Sequence, residues 1–277
     1  MFIIKSAFCR IFQTAFRIAL PFLPYREPII IDSFEKIGEI LKTEKSKSVL
    51  IVTDNAIINN GDVQPNPTVK NVEDALLIYK SHECDCLIAV GGGSSIDCAK
   101  AISARVAYPK RPISRMKGIL RVLRKVPTLI AVPTTAGTGS ETTLASVITD
   151  SDTHHKYAIM SFPLIPRYAV LDAKLTYSLP KNLTATTGMD ALTHATEAYI
   201  GRSTTSETRQ LAVDAVRLIF DNIKAAYSDG ENEFARKNML IAAYKAGIAF
   251  SKSYVGYIHA IAHSLGGQYG IPHGLAN

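Results

Sequence analysis

Three histidines occur in one short segment of the sequence, at His259, His263 and His273. Imidazole is the commonest metal ligand in proteins. If the segment is helical, His259 and His263 lie one turn apart on the same face and could share one site. We expect the glycine pair at 266–267 to end this helix and Pro272 to fix the backbone just before His273. The third imidazole could then fold back toward the first two.

A second pair of possible metal ligands stands upstream, where Asp190 and His194 are four residues apart in a predicted helix. One carboxylate and up to three imidazoles suit a divalent first-row metal such as iron or zinc. Any one of these histidines alone could be an ordinary residue of a helix interface. Two pairs at helical spacing favour a metal site.

A glycine- and serine-rich turn, Gly-Gly-Gly-Ser-Ser at 91–95, follows a predicted strand at 86–90. A helix that begins in this turn points its free backbone N–H groups and the positive end of its dipole outward, where an anion can bind. The glycines permit a phosphate to approach closely. However, the spacing matches neither a P-loop nor G-x-G-x-x-G, and such a turn often merely caps a helix. Phosphate binding and simple capping both remain open on this evidence.

Two further features favour a dinucleotide at the same place. Asp54 ends the predicted strand 48–54, where a carboxylate can accept hydrogen bonds from a ribose and repel a 2′-phosphate, which favours NAD over NADP. The alternative for Asp54 is a helix N-cap. A second turn rich in hydroxyls and glycine, at 134–141, ends another strand and would line the same edge of a parallel sheet.

The elements that must position these residues change in type near Pro180. Before it, apolar strands alternate with helices, and the strand at 48–54 reads as one buried on both faces of a parallel sheet. After it, four amphipathic or buried helices follow. The predicted fold class is therefore α/β, with an N-terminal Rossmann-like parallel-sheet domain followed by an all-α metal-binding domain. The predicted boundaries are 1–27 for an amphipathic leader, 28–180 for the dinucleotide-binding domain and 181–277 for the helical domain.

The first 26 residues carry basic but no acidic side chains, in an amphipathic pattern. They lack the unbroken apolar core of a signal peptide and hold too many charges for a membrane span, so we expect no stable membrane insertion. A transit peptide, an interfacial helix and a leading helix docked on the body are the alternatives. The formal charge of +7 comes from scattered basic residues without an RNA-stacking motif, so we expect no nucleic-acid partner.

The four cysteines, Cys9, Cys84, Cys86 and Cys98, lack the C-x-x-C pairs of a structural zinc site. Reduced thiols in a core are the prediction for them, and they favour a cytoplasmic protein.

With these motifs assembled, residues 28–277 resemble the iron-containing (group III) alcohol dehydrogenases. The first signature of that family resembles a set made of Leu171-Asp172, Pro180, the run 188–194 and Glu197, and the run 256–276 resembles the second. The resemblance implies the architecture shared with dehydroquinate synthase, an alcohol, aldehyde or ketone substrate, Fe²⁺ with Zn²⁺ as the alternative, NAD, and a homodimer. It also implies that His263 lies near the nicotinamide and moves protons or positions the substrate. The metal ligands that it implies are Asp190, His194, His259 and His273.

The turns described above and the resemblance together predict the dinucleotide contacts. Asn66, Val147 and Lys156 rest on the resemblance alone. The full predicted set is Asp54, Asn66, Gly92, Gly93, Ser94, Ser95, Asp97, Thr134, Thr135, Thr138, Val147 and Lys156.

Members of the family continue for several helices beyond the Pro-His-Gly segment, so the resemblance implies a C-terminally truncated member whose helical domain is incomplete. Missing helices would uncover apolar surface and loosen the metal cleft, which puts the activity of the 277-residue form in doubt. One alternative function is a metal- and NAD-dependent lyase or cyclase of the dehydroquinate synthase type. Another is a noncatalytic binding protein that keeps the fold. One carboxylate with three imidazoles favours the dehydrogenase.

Overall fold

The computed structural model describes residues 2–54, 67–150 and 156–277, and strands alternate with helices in it before the chain becomes helical. The strands are β1 (Ile29–Ile31), β2 (Val49–Thr53), β3 (Cys86–Gly91), β4 (Gly118–Ile119), β5 (Thr128–Pro133), β6 (Ala145–Thr149), β7 (Lys156–Met160) and β8 (Tyr168–Val170). The helices are α1 (Phe2–Ala19), α2 (Ile37–Thr43), α3 (Val69–Ser81), α4 (Gly93–Ala107), α5 (Lys181–Ile200), α6 (Ser206–Ser228), α7 (Glu233–Ser253), α8 (Tyr257–Tyr269) and α9 (His273–Ala276).

Five strands form a parallel sheet in the order β1-β8-β5-β3-β2. The predicted Rossmann-like parallel sheet is thus confirmed. The central strands β3 and β5 are almost wholly buried, as their continuous apolar sequences require when both faces of a sheet are covered. Leu87 of β3 packs in one core cluster with Ile96 and Ile102 of α4. Because the strands are parallel, their carboxyl ends share one edge of the sheet.

The prediction that the strand at 48–54 is buried on both faces is wrong. β2 is the last strand of the sheet in the described part of the chain, and Ile51 is 61% exposed. An apolar run predicts a strand in a parallel sheet, but its position within the sheet depends on which neighbour it pairs with. β2 pairs with β3 alone among the described strands.

A smaller sheet, in the order β4-β7-β6, carries two of the predicted cofactor residues, Val147 in β6 and Lys156 in β7. The two-residue β4 was not predicted, because so short a strand has no periodic signal in the sequence. β6 lies against α4, since the Ser146 hydroxyl donates to the backbone oxygen of Asp97.

The last strand ends at Val170, and long helices begin at Lys181. The exact domain limits remain a prediction. Helices α5, α6 and α7 pack along a seam of buried alanines, whose small side chains let the helix backbones approach closely. The seam consists of Ala195, Ala198, Ala212, Ala215, Ala246 and Ala249.

The end of α8 differs from the prediction. The glycine pair at 266–267 lies inside the helix, which continues to Tyr269 and ends at Gly270 in the left-handed conformation, with φ of 67°. Glycine is costly but tolerated within a helix, whereas a left-handed C-terminal residue ends it. His273 then begins α9 after Pro272.

The predicted leader contains helix α1, and the ring of Phe16 lies 4.6 Å from that of Tyr254. Within the described residues, none of the helices combines the length and the apolar character that crossing a bilayer demands. Cys84, Cys86 and Cys98 are free and buried, as predicted. The side chain of Cys9 lies outside the described set.

Candidate functional site

Asp190, His194, His259 and His273 converge on one point, although they come from three different helices. Each offers one ligand atom, and these four atoms lie within 4.8 Å of one another. Asp190 is at the centre of the group. Its Oδ1 atom lies 3.8 Å from His194 Nδ1, 3.6 Å from His259 Nε2 and 3.5 Å from His273 Nε2.

Helix α5 brings the first two of these residues together, because Asp190 and His194 lie one turn apart on its buried face. The His194 ring is held between two other rings. It stacks on Phe250 at a centroid distance of 4.1 Å and on His259 at 4.3 Å. Its orientation is therefore fixed by packing, and its Nδ1 atom is buried without a hydrogen-bond partner.

The electrostatics of the cluster keep the Asp190 carboxylate charged and His194 and His273 neutral. For His259, the effect of burial, which lowers the pKa, is outweighed by hydrogen bonds to Asp190 and Glu197, which raise it. Burial alone raises the pKa of Asp190, but the neighbouring imidazoles outweigh it and hold that pKa well below its ordinary value. Burial lowers the pKa of His194 to about 3, and burial also lowers the pKa of His273. Neutral imidazoles and an ionised carboxylate are the forms that bind a metal.

Glu197, to which the sequence analysis gave no role, orients His259. Its carboxylate accepts hydrogen bonds from His259 Nδ1 at 2.7 Å, from the Gly256 backbone N–H at 2.6 Å and from the Ile258 backbone N–H at 2.7 Å. Burial alone raises the pKa of Glu197, but these hydrogen bonds lower it overall. With its Nδ1 proton directed to Glu197, His259 presents the lone pair of Nε2 to the cluster.

The approach of Glu197 to α8 depends on Gly256. A Cβ atom at that position would lie 2.8 Å from Glu197 Oε1, closer than real contacts permit. Glu197 lies three residues after His194 on α5, so the helical spacing that identified the ligand pair also places it on the same face. That spacing is the signal that could have identified it.

His263 lies beside the cluster but is not one of its four ligands in the described residues. Its ring centroid is 5.0 Å from that of His273 and 6.2 Å from that of His259. Partial burial, the two neighbouring imidazoles and the Lys156 ammonium lower the pKa of His263 to about 4. His263 is therefore a neutral base at pH 7, and it is exposed at the rim of the site.

The predicted nucleotide turn follows β3 as expected, and α4 begins at Gly93, within the turn. The Ser95 hydroxyl lies 3.4 Å from Asp54 Oδ2, so Asp54 at the end of β2 faces the start of α4. The alternative prediction, that Asp54 caps a helix, depends on the residues that follow it, and these lie outside the described residues. The backbone N–H of Thr134 donates to the Gly91 oxygen at 3.0 Å, which joins the two ligand-facing turns.

The second turn also packs on the first through its side chains. A Cβ at Gly93 would lie 2.9 Å from the Thr138 side chain, and one at Gly92 would lie 3.5 Å from Thr135. The Thr134, Thr135 and Thr138 positions thus surround the N-terminus of α4, whose residues include Ser94 and Ser95. The dinucleotide contacts predicted in these two turns therefore lie at one edge of the sheet.

Asp97 is engaged within the protein. Its Oδ1 accepts from the Ser140 hydroxyl at 2.7 Å and its Oδ2 accepts from the Val147 backbone N–H at 2.9 Å. These bonds fix the second turn and β6 against α4.

Lys156 contributes to the lowered pKa values of His263 and His273, so its ammonium lies within electrostatic range of the cluster. Asn66 lies outside the described residues.

The predicted nucleotide-binding edge and the candidate metal ligands are connected through one turn of α5. A Cβ at Gly137, in the second turn, would lie 2.6 Å from the backbone oxygen of Thr187. A Cβ at Gly274, in α9, would lie 2.5 Å from the backbone oxygen of Thr186. The second turn and α9 therefore pack on adjacent residues of α5, Thr187 and Thr186, which precede Asp190 by less than two helical turns.

These residues fit a divalent cation. A buried carboxylate and three imidazoles converge, one ring nitrogen of His194 has no partner, and Glu197 fixes the tautomer of His259. Four nitrogen and oxygen donors of this kind suit iron or zinc. The neutral amide of Asn277 lies among them, and its Nδ2 donates to Asp190 Oδ1 at 2.6 Å.

A parallel-sheet domain with a glycine-rich turn is joined to a helical domain that carries an Asp-His₃ cluster, which is the architecture of a protein suited to hold a nucleotide and a metal ion. Comparison with known proteins agrees. Residues 59–173 match the family described as iron-containing alcohol dehydrogenase, and residues 184–277 match the C-terminal domain of the Fe-containing alcohol dehydrogenase family. The chain belongs to the iron-containing alcohol dehydrogenase family.

Individual relatives are similar along most of the chain. Alcohol dehydrogenase 4 of Schizosaccharomyces pombe is 42% identical over an aligned length of 257 residues, and the match covers 86% of this chain and 61% of that protein. The crystal structure of a 1,3-propanediol oxidoreductase is 36% identical with a TM-score of 0.87, covering 91% of this chain and 72% of that one. A sulfoacetaldehyde reductase from Bifidobacterium kashiwanohense, solved in complex with NAD⁺, is 31% identical with a TM-score of 0.83, covering 91% and 73%. The chain thus spans about three fifths of the length of the S. pombe protein.

Proposed function

We propose that the protein is a metal-dependent oxidoreductase that transfers a hydride between an alcohol, or its aldehyde or ketone, and NAD(H). The convergence of Asp190, His194, His259 and His273 beside the nucleotide edge of the sheet is the observation that carries this proposal. Membership of the iron-containing alcohol dehydrogenase family supports it.

The four converging residues are proposed as ligands of Fe²⁺, because the family is named for iron. Zn²⁺ is the alternative, since one carboxylate and three imidazoles can hold either ion. When bound there, the cation supplies a Lewis acid for the alcohol oxygen. Glu197 keeps the Nε2 lone pair of His259 available for it by holding the proton on Nδ1.

The proposed role of His263 is to accept the proton of the alcohol hydroxyl. Its low pKa leaves the imidazole neutral at pH 7, and its exposed position at the rim of the cluster gives the proton a way to solvent. A bound NAD would supply the hydride acceptor for the carbinol carbon, and the substrate would be left as the carbonyl product. The alcohol would thus lose one proton and one hydride in all.

For the dinucleotide, the proposed anchor is the N-terminus of α4. The backbone N–H groups of its first turn, at Gly93, Ser94 and Ser95, have the direction and the helix dipole that suit a pyrophosphate, and Gly92 gives it room to approach. Asp54 is placed to accept from a ribose and to disfavour NADP. The further proposed contacts are Asn66, Asp97, Thr134, Thr135, Thr138, Val147 and Lys156.

The substrate class proposed is a small alcohol or aldehyde. Relatives are named for alcohols, 1,3-propanediol and sulfoacetaldehyde, all of which are small molecules. A homodimer is proposed from the family alone, and a cytoplasmic location is proposed from the free, buried cysteines. Light scattering on purified protein would give the oligomeric state.

A first experiment combines metal analysis with turnover. Anaerobically purified protein, loaded with Fe²⁺ or Zn²⁺, is mixed with NAD and a panel of short alcohols and diols, and the absorbance of NADH is followed. We expect NADH to accumulate with at least one substrate. A lyase of the dehydroquinate synthase type would recycle its NAD, and a noncatalytic protein would give no signal with any substrate.

The metal assignment has its own test. Replacing His259 and His273 together by alanine should abolish stoichiometric metal, because half of the donor set is removed. His82→Ala is the matched control, since His82 is exposed at the end of α3. Metal retained by the double variant would refute the ligand assignment whatever the turnover assay shows.

A further inference from the structure

The side chain of Asn277 is directed into the centre of the four candidate ligands. Its Nδ2 lies 2.6 Å from Asp190 Oδ1, 3.2 Å from His273 Nε2 and 3.3 Å from His259 Nε2. A carboxylate and two imidazole nitrogens therefore surround a single amide nitrogen. No role was assigned to Asn277 by the sequence analysis.

Helical geometry and tautomer choice explain this placement. Asn277 follows His273 by four residues, and its backbone N–H donates to the His273 oxygen at 3.1 Å, so both side chains lie on the same face. Glu197 holds the proton of His259 on Nδ1, which leaves Nε2 as an acceptor. Asp190 is an acceptor because it is ionised. An amide N–H₂ group is the donor that such a group of acceptors requires.

The amide nitrogen and a cation would need the same space. Nitrogen and oxygen ligands bind zinc at about 2.0 to 2.2 Å, so an ion bound by these three atoms would have to lie close to where Asn277 Nδ2 lies. The amide oxygen of Asn277 is buried and has no hydrogen-bond partner, so the carboxamide itself is bound mainly through Nδ2. The side chain must move when an ion enters.

We propose that Asn277 holds the position of the cation in the metal-free protein and that metal binding displaces its amide. This inference rests on the proposed metal centre. The hydrogen bonds of Nδ2 stabilise the metal-free state alone, so they oppose metal binding by the same free energy. Asn277 would thereby share its two N–H hydrogens among these acceptors until the ion is present.

Asn277→Ala should therefore have opposite effects on the two states. Hydrogen bonds to a charged acceptor are strong enough that their loss should raise the metal affinity by about tenfold. The same variant should lower the unfolding midpoint of the metal-free protein and leave that of the metal-saturated protein unchanged. Asn277→Asp, of the same shape, should show both effects more strongly, because a second carboxylate repels Asp190 until an ion is bound.

The test uses Co²⁺ as the probe, added without oxygen to protein stripped with a chelator, and its visible absorption as the signal. Thermal unfolding is measured in chelator and in saturating Co²⁺. Asn182→Ala is the matched control, since Asn182 is exposed near the start of α5. An unchanged or weaker Co²⁺ affinity in both Asn277 variants would overturn the inference, and a weaker one would make the amide oxygen a ligand.

The outcome separates the two proposals. If Co²⁺ binding is lost in His259→Ala but unaffected in the Asn277 variants, the proposed metal centre is supported and the proposal that metal binding displaces Asn277 is overturned. Absence of Co²⁺ binding in the unaltered protein overturns both. Should Asn277→Ala fail to fold, Asn277→Leu decides the matter, because it keeps the volume of the side chain and removes the N–H₂ donor without adding a charge.

Discussion

Replacing Glu197 by glutamine tests whether the metal centre is held in place by a residue that is not a ligand. Glu197 accepts three hydrogen bonds, at 2.6, 2.7 and 2.7 Å, from two backbone N–H groups and from His259 Nδ1. A glutamine of the same shape keeps one acceptor oxygen and replaces the other by an N–H₂ donor. That donor would face the N–H of Gly256 and the Nδ1 atom of His259.

The expected effect on His259 is a change of tautomer. To accept from the new amide, Nδ1 must lose its proton, and the proton then moves to Nε2, the atom that faces Asp190 Oδ1 at 3.6 Å. A protonated Nε2 has no lone pair for a metal. Loss of such an orienting partner typically lowers metal affinity by roughly ten- to a hundredfold.

The expected loss of stability follows from the same contacts. Hydrogen bonds to a charged group contribute about 1.5 kcal/mol or more each, and about half of that without the charge. Three weakened bonds and one donor facing another donor should lower the free energy of unfolding of the metal-free protein by about 3 kcal/mol. The side chain of Glu197 is 2% exposed, so solvent screens little of this effect.

Urea unfolding in chelator would measure the stability, and Co²⁺ titration would measure the affinity. Glu39→Gln, on the exposed side of α2, is the control and should change neither. If Glu197→Gln kept full metal affinity while stability fell, Glu197 would be only a cap of α8. If neither changed, the orientation of His259 would not depend on it.

Three further predictions concern other parts of the molecule. Burial raises the pKa of Glu141 from 4.5 to about 7, so the folded state binds this proton more tightly than the unfolded state. The free energy of unfolding should therefore fall by up to about 3 kcal/mol as the pH rises from 4.5 to about 7. Urea unfolding at each pH would measure this dependence, and Glu141→Gln should flatten it. Lys100 donates to the backbone oxygens of Ser140, Thr143 and Ala145 at 2.7 to 2.9 Å. Lys100→Met should therefore lower the free energy of unfolding by about 3 kcal/mol or more and weaken NADH binding, which fluorescence would measure. Unchanged NADH binding would show that the second turn keeps its shape without the lysine. Gly274→Ala should shift α9 and lower Co²⁺ affinity, because its Cβ would lie 2.5 Å from a backbone oxygen of α5, and normal affinity would mean that α9 is free to adjust.

Most of the sheet could be predicted because strand and helix patterns are local. The runs that became β3 and β5 are apolar throughout, which marks strands covered on both faces. The same reasoning was wrong for β2, whose run is equally apolar although Ile51 faces solvent. Apolar composition does not reveal how many neighbours a strand pairs with.

The end of α8 shows a second limit of local reasoning. A pair of glycines predicts a helix end, yet the pair at 266–267 is helical and Gly270 ends the helix instead. Helix ends depend on which backbone groups find partners in the folded protein, and a glycine provides only the freedom to adopt the conformation. Here His273 still reaches the cluster, because α9 begins directly after Pro272.

The sequence by itself determined that Asp190 and His194 share a helix face and that a glycine-rich turn begins a helix after a strand, because spacing along one element fixes direction. Only the tertiary structure decided that α5, α8 and α9 bring their side chains within 4.8 Å of one another. The alanine seam and the close approach of Gly256 to Glu197 set those helix positions, and both depend on contacts between distant parts of the chain. The roles of Glu197 and Asn277 came from the same source, since a hydrogen-bond partner is defined by distance in space and not by distance along the sequence.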